Sequence, residues 1–319
     1  MTRSRIVARN LLRSRILVLG GGVGWHSNQL VAAARDADCQ ITFAPYETLS
    51  TSLSANGPGL LQALGAINNT GQPQPVSLDD FDAILTRTMP PGSLEQITFR
   101  LATLHAHIAR GNKVINSPRG LEIAIDKFAA LELIAQLGYD VPETIVVQSR
   151  SEAMDAFKTL GGDCVVKPLF GGEGRGVMRI RDTELAWYSF STLEQLGAVF
   201  YVQRFISPGG ADTRLLVIGE TTLALRRENQ NDFRTNVSGG ANCQQIVPTN
   251  QQIETARHIT SSMGLQFASV DIIDSDDGRP RILEVNAVPG WRGAQAATKE
   301  SIAQQIIHLL KHSSKLNVG

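Results

Sequence analysis

The chain has 319 residues, 42% hydrophobic and 19% charged, and its 30 lysines and arginines balance 30 aspartates and glutamates. At about 150 residues per domain this is roughly two domains, or three small ones, with enough core to fold without disulfides or metal. The even balance excludes a globally basic nucleic-acid binder, and no apolar run nears the ~18 residues of a membrane span.

Arg3, Arg5, Arg9, Arg13 and Arg15 stand in an acid-free start without the apolar core of a secretory signal. It reads as a solvated extension, with an organelle transit peptide as the alternative. Cys39, Cys164 and Cys243 are scattered, odd in number and outside any C-x-x-C. That suits reduced thiols in the cytoplasm and argues against a zinc knuckle. His105 and His107 are two apart in a helical stretch, face different ways, and cannot share a metal.

In chain order, the first strand is predicted at 15–19, running into Gly20-Gly-Gly-Val-Gly24, then a helix at 26–37 and a strand at 40–44. Strand, glycine loop, helix, strand opens a doubly wound α/β unit. Residues 50–76, rich in Gly, Pro, Asn and Gln, are predicted as loop with one short helix at 59–66. A strand at 82–86, a helix at 93–110, a strand at 113–116 and a helix at 120–137 closed by Gly138 follow. Asn116-Ser-Pro118 breaks the chain between the last two. Beyond it, strands at 143–147, 163–168, 176–181 and 199–206 alternate with helices at 151–160 and 183–196. Strands at 212–218 and 221–227, a polar loop at 228–244 and a helix at 249–263 come next. Strands at 267–274 and 280–286 and a helix at 298–312 close the chain. The first third therefore reads α/β and the remainder α+β with antiparallel hairpins.

The first glycine loop fails the dinucleotide test. G-x-G-x-x-G needs glycine where Trp25 or Ser27 stands. A tight turn into a helix, presenting amides to an anion, is the better reading, and Gly24-Trp-His26 either faces a ligand or packs in the core. The second loop is Gly171-Gly-Glu-Gly-Arg-Gly176, between strands and just after Lys167. Four glycines in six residues make a flap whose amides can fold over phosphates.

Asp277-Gly278 is a two-residue hairpin signal. Centred there, Asp271 lies opposite Glu284 with both side chains on one face, and Asn286 shares that face. Two carboxylates opposed across a strand pair need a cation. With the amide oxygen they form a hard donor set suited to magnesium, completed by phosphate oxygens and water. Arg214, Arg226, Arg227 and Arg234, with Lys127 and Lys167, supply the cations a metal-bound polyphosphate requires.

The ordered set Lys127, Lys167 with its flap, Val202-Gln-Arg-Phe-Ile206, Asp212-Thr-Arg214, Asp232-Phe-Arg-Thr-Asn236 with Gly239-Gly240, Asp271 and Glu284-Val-Asn286 resembles the ATP-grasp superfamily. Within it the set is most similar to the RimK-like carboxylate–amine ligases. The resemblance covers about residues 80 to 312. It implies an N-terminal Rossmann-like pre-ATP-grasp domain (1–118), a central flap domain (119–202) and a C-terminal antiparallel-sheet domain bearing the metal site (203–319). By the same resemblance the nucleotide meets Lys127, Lys167, Gly172, Glu173, Gly174, Gly176, Gln203, Arg204, Phe205, Ile206, Asp212 and Asn236. The hinge backbone at Arg204 and Phe205 would meet adenine, and Asp212 the ribose. Asp271, Glu284 and Asn286 would hold two magnesium ions, manganese being the alternative. Arg214 and Arg227 would serve the reacting carboxylate and its phosphate, and Arg234 and Asn236 would line the phosphate and acceptor region, the three arginines being the catalytic set. Where the family often has Glu-Tyr or Glu-Phe at the hinge, this chain has Arg204-Phe205.

The implied reaction is an ATP-dependent ligation. A carboxylate takes the γ-phosphate of ATP, ADP leaves, and an amine displaces phosphate from the acyl phosphate. In such enzymes the amine is commonly glutamate, and a small acidic cofactor such as a pterin is the favoured acceptor. A protein terminus or carrier protein is the second reading, and a non-catalytic ATP-binding regulatory module or an NAD-linked dehydrogenase are the rivals. No nucleic-acid or membrane partner is expected, and a homo-oligomer is compatible with the sequence.

Overall fold

The computed structural model describes residues 13–55 and 57–312. The chain divides into two compact units. Of the described residues, one unit comprises those up to Ile115 together with Ser301–His312, and the other is Asn116–Glu300.

In the first unit, β1 (Ser14–Leu19), α1 (Trp25–Asp36) and β2 (Cys39–Ala44) form the expected opening. The segment predicted as loop and short helix is instead three strands, β3 (Ser50–Thr51), β4 (Leu61–Ile67) and β5 (Gln74–Ser77). β4 buries Leu61, Ala63 and Gly65, every second residue, which is the strand period. Glycine is required at 65 because a Cβ there would lie 2.7 Å from Thr42 Cγ2. β6 (Ala83–Thr86), α2 (Leu94–Ala109) and β7 (Val114–Ile115) follow. The sheet order is β3-β4-β2-β1-β6-β7, with β5 on β4. β1, β2, β6 and β7 are parallel, and β4 joins antiparallel. The helix Ile302–His312, near the other end of the sequence, packs on α1 and β6. Lys113 closes its last turn, its Nζ donating to the carbonyls of Leu309 (3.0 Å) and Leu310 (2.6 Å).

The second unit begins with two helices where one was predicted, α3 (Pro118–Ile125) and α4 (Lys127–Gln136). Asp126 divides them. Its Oδ1 accepts from the amides of Phe128 (2.8 Å) and Ala129 (3.0 Å), so it caps a new helix rather than continuing the old. Next come β8 (Thr144–Val147), α5 (Arg150–Thr159), β9 (Cys164–Lys167), β10 (Met178–Ile180), α6 (Thr183–Gln195) and β11 (Phe200–Arg204). These strands form an antiparallel sheet, β10-β9-β11-β8. Cys164, Val166, Phe200 and Val202 pack with Phe157 of α5 and Phe190 of α6. Alternation therefore turns Val165, Lys167, Tyr201 and Gln203 to the opposite face.

A second antiparallel sheet has the order β14-β13-β12-β15-β16. Its strands are β12 (Ala211–Ile218), β13 (Thr221–Glu228), β14 (Asn242–Ile246), β15 (Phe267–Ile273) and β16 (Arg281–Asn286), and α7 (Asn250–Ser262) covers one face. β14 begins inside the predicted polar loop and runs two residues past it; the predicted final helix is α9, the helix Ile302–His312 already described, and the short α8 (Arg292–Ala297) precedes it unpredicted. The β15–β16 turn is longer than two residues, since the strands end at Ile273 and resume at Arg281. A bulge between Asp271 and Ile272 absorbs the difference, and Asp271 still pairs with Glu284 and Ser269 with Asn286, as predicted. Cys39, Cys164 and Cys243 are free thiols. No helix among the described residues is long and apolar enough to cross a membrane.

Candidate active site

A cleft lined by the glycine flap and by both antiparallel sheets lies within the second unit. One wall comes from β9, β11, the start of α4 and the glycine flap. Lys167 ends β9 and is 8% exposed. Its Nζ donates to Gln203 Oε1 (2.7 Å), and Gln203 Nε2 donates to Thr144 Oγ1 (2.9 Å) and Tyr201 Oη (3.2 Å). Burial pushes the Lys167 amine down to about 8, against the pull of Glu284. Lys127 opens α4 and donates from Nζ to the Gly171 carbonyl (2.7 Å) at the root of the flap. Burial lowers its amine too, with Glu284 and Asp126 opposing.

Along the flap, Gly171, Glu173, Gly174 and Gly176 all have positive φ. Gly174 shows why side chains are excluded: a Cβ there would stand 2.5 Å from Asn236 Oδ1. The flap thus touches the loop that carries Arg234 and Asn236. At the hinge, the amides of Arg204 and Phe205 donate to the carbonyls of Glu143 (2.8 Å) and Asp163 (3.0 Å). The Arg204 side chain pairs with Glu143. The Phe205 ring lies under the Arg179 guanidinium, 3.3 Å from the ring centre, and edge-on to Phe233. Asp163 grips Arg179 through both oxygens (2.8 and 2.7 Å).

The other wall is a ladder of charges on one face of the β12–β16 sheet. Strand pairing places Asp212 opposite Arg227, Arg214 opposite Asp271, and Asp271 opposite Glu284. Arg214 donates to both oxygens of Asp271 (2.8 and 2.6 Å), and Arg227 Nη2 reaches Asp271 Oδ2 (2.7 Å). Arg227 also donates to both oxygens of Asp212, with Nε at 2.7 Å from Oδ1. Thr235 Oγ1 completes the chain, donating to Asp212 Oδ2 (2.5 Å). Asp212, Arg227 and Asp271 are all buried. Burial alone would raise the Asp271 carboxyl, but Arg214 and Arg227 outweigh it and hold it well below the ordinary range. Glu284 moves the other way, raised by burial and by Asp271 across the ladder, with Lys167, Arg214 and Arg227 opposing. Asp212 is likewise raised by burial and by Asp271.

The donor set on this face fits a hard divalent cation. Glu284 lies against an ionised Asp271, a repulsion that a cation would relieve. Asn286 extends the same face, its Oδ1 accepting from the Val288 amide (2.9 Å). Among the described residues no three His, Cys, Asp or Glu side chains gather into a metal cage. Two carboxylates and one amide suit magnesium, which keeps positions for phosphate oxygens and water.

Residues 124–310 match the family profile of the RimK-like ATP-grasp domain. This chain belongs to the RimK-like ATP-grasp family. It is 29% identical over 324 residues to the tetrahydromethanopterin:alpha-L-glutamate ligase of Methanosarcina acetivorans, spanning 90% of this chain and 95% of that protein. It is 32% identical over 243 residues to a probable alpha-L-glutamate ligase of Halorhodospira halophila, spanning 75% and 78%. The ATP-grasp ligase PsnB, solved with a phosphomimetic precursor variant, Mg and ADP, superposes with a TM-score of 0.67 at 20% identity, covering 94% of this chain and 98% of that one. The chain is accordingly an ATP-dependent ligase with the ATP-grasp fold, and ligases of this fold use ATP and a divalent metal.

Among the residues predicted for the RimK-like site, Lys127, Lys167, Gly172, Glu173, Gly174, Gln203, Arg204, Phe205, Ile206, Asp212, Arg227, Arg234, Asn236, Asp271 and Glu284 line this one cleft. Gly176 closes the flap against Pro168, whose Cγ would be 2.8 Å from a Cβ at 176. Arg214 reaches the site through Asp271. Asp212, expected at the ribose, has both oxygens engaged by Arg227 and Thr235. Arg234 is exposed beside the flap and paired with Asp232 (2.6 Å). The sequence reading missed Thr144, Tyr201 and Thr235, which hold Gln203 and Asp212. Tyr201 carried a signal, standing two residues before Gln203 on one strand face.

Proposed function

We propose that this ligase joins the α-amino group of glutamate to a carboxylate of a small acidic acceptor of the pterin cofactor kind, with ATP converted to ADP and phosphate. The observation that carries the reading is the opposed pair Asp271–Glu284, flanked by Asn286 and faced across one cleft by Lys127 and Lys167. The likeness over 90% of the chain to the tetrahydromethanopterin:alpha-L-glutamate ligase of Methanosarcina acetivorans supports the choice of substrates.

In this reading an acceptor carboxylate oxygen attacks the γ-phosphorus of ATP and ADP leaves. The amine then attacks the acyl carbon, phosphate departs, and the amine proton is released. The chain supplies position and charge rather than a nucleophile. Lys167 and Lys127 meet the phosphates, with Lys167 held in place by Gln203. Flap amides fold over them, and Gly174 seats the flap on Asn236. Arg227 and Arg234 meet the reacting carboxylate and its phosphate. Arg214 keeps Asp271 ionised. Asp271, Glu284 and Asn286 would hold magnesium, two ions in this reading, and the metal would neutralise charge on the phosphate oxygens.

The test is ADP release from ATP with magnesium, single amino acids and fractions of small acidic metabolites. Release that requires both glutamate and one fraction is expected, and mass spectrometry of that fraction names the acceptor. Release with a different amino acid would overturn the glutamate assignment. No release despite ATP binding would overturn the small-acceptor reading in favour of a protein acceptor or a regulatory module.

A further inference from the structure

In the sequence, Asn116 belongs to a break between elements. In the structure its side chain is 1% exposed, and its amide makes four long-range hydrogen bonds. Oδ1 accepts from the amides of Gln266 (2.8 Å) and Phe267 (2.9 Å). Nδ2 donates to the carbonyls of Phe267 (2.6 Å) and Ala287 (2.7 Å). The first three partners are at the entry to β15, and the fourth is the residue directly after Asn286.

These contacts fall where the β15–β16 ladder runs out. Ser269 opposite Asn286 is its last pair. Beyond it the backbone departs through Pro289 and Gly290. The Asn116 amide bridges the two strands one step past that pair, standing in for the next rung. Asn286 is therefore held on both sides, by strand pairing to Ser269 and by the bond from Asn116 to the following carbonyl. A side chain at this point must present two acceptor positions to one strand and a donor to each, and among the common residues only a primary amide of this length does so.

We infer that Asn116 is a positioning residue for the metal-bearing hairpin, fixing Asn286 and the end of β16 relative to Asp271. The inference rests on the reading of Asp271, Glu284 and Asn286 as the metal set. It assigns to Asn116 no contact with nucleotide or metal.

The test uses the full chain and ADP as probe, so no acceptor is needed. Calorimetry gives the ADP affinity at saturating magnesium and the magnesium concentration at which ADP binding is half-enhanced. Asn116→Ser is expected to raise that magnesium requirement about tenfold while leaving ADP affinity at saturating magnesium within about threefold of wild type. A folded Asn116→Ser chain with the wild-type magnesium requirement overturns the inference. Glu284→Gln is measured alongside. If it too leaves the requirement unchanged, the metal reading itself falls; if it shifts and Asn116→Ser does not, the positioning role alone falls. Hydrogen exchange of the wild type gives an answer that survives a variant that fails to fold. The Gln266 and Phe267 amides, bonded to a side chain, should exchange as slowly as those inside β15, and exchange at exposed-loop rates would overturn the clamp.

Discussion

The two sheets that wall the cleft solve the burial of charge in opposite ways. The β8–β11 sheet buries a single ammonium, Lys167, and surrounds it with neutral groups, Gln203, Thr144 and Tyr201. The β12–β16 sheet buries an unbroken chain of charges, Arg214, Asp271, Arg227 and Asp212, each pinned by its neighbours. In the first sheet desolvation wins and the amine moves down toward neutrality. In the second, mutual attraction wins for Asp271, whose carboxyl is held ionised. One wall thus keeps a loosely compensated cation for an incoming anion, and the other keeps a rigid, self-compensated frame on which a cation can be mounted.

The largest effect should come from neutralising the opposed carboxylates of the metal set. Asp271→Asn or Glu284→Gln should lower ADP formation at least about 100-fold while circular dichroism stays native. Wild-type turnover in either would remove the metal assignment.

Next, the walls should differ in stability. Arg227→Met leaves Asp212 and Asp271 buried with less compensation and should cost about 3–5 kcal/mol in urea unfolding. Lys167→Met should cost little or even stabilise, because a lysine whose folded value lies below its ordinary one opposes folding while charged. That penalty is full below about pH 8 and fades as pH rises toward the ordinary lysine value. Equal losses in the two variants would erase the contrast.

A smaller effect should appear against pH. Below about pH 8 Lys167 is an ammonium and attracts the phosphates; above it the amine is neutral and the attraction is lost. The kcat/KM for ATP should therefore fall about tenfold per pH unit above that point, and the break should vanish in Lys167→Arg, whose guanidinium stays charged. The smallest effect belongs to the exposed flap pair Arg175–Glu173, whose removal by Glu173→Gln should change stability by less than about 1 kcal/mol.

Much of this could be read from the chain because the site is written in strand periodicity. Asp271 and Glu284 face one another by counting outward from Asp277-Gly278, even though the bulge and longer turn were not foreseen. Their errors cancelled at that rung. The ladder Asp212–Arg227–Asp271 was invisible as a ladder, because which arginine meets which carboxylate depends on the order β13-β12-β15, and no local pattern encodes it. β4, β5 and β14 were missed for a different reason. Gly65, Pro75 and the run Asn242-Cys-Gln-Gln245 are poor strand formers, tolerated near sheet edges where tertiary pairing overrides propensity. Asp126 was legible in principle, since an aspartate before Lys127-Phe-Ala is a helix-start signal, but unbroken apolar periodicity concealed it.

The division of the chain also dictates an order of assembly during synthesis. The first unit opens at the beginning of the described chain, yet α9, which buries Ile302, Ile306, Ile307 and Leu310 within it, is translated after the whole of Asn116–Glu300. Asn116–Glu300, although begun second, has all its own strands available first. On the ribosome the second unit can close while the first unit's sheet still waits with an apolar flank uncovered, so of the two units the one begun first is finished second.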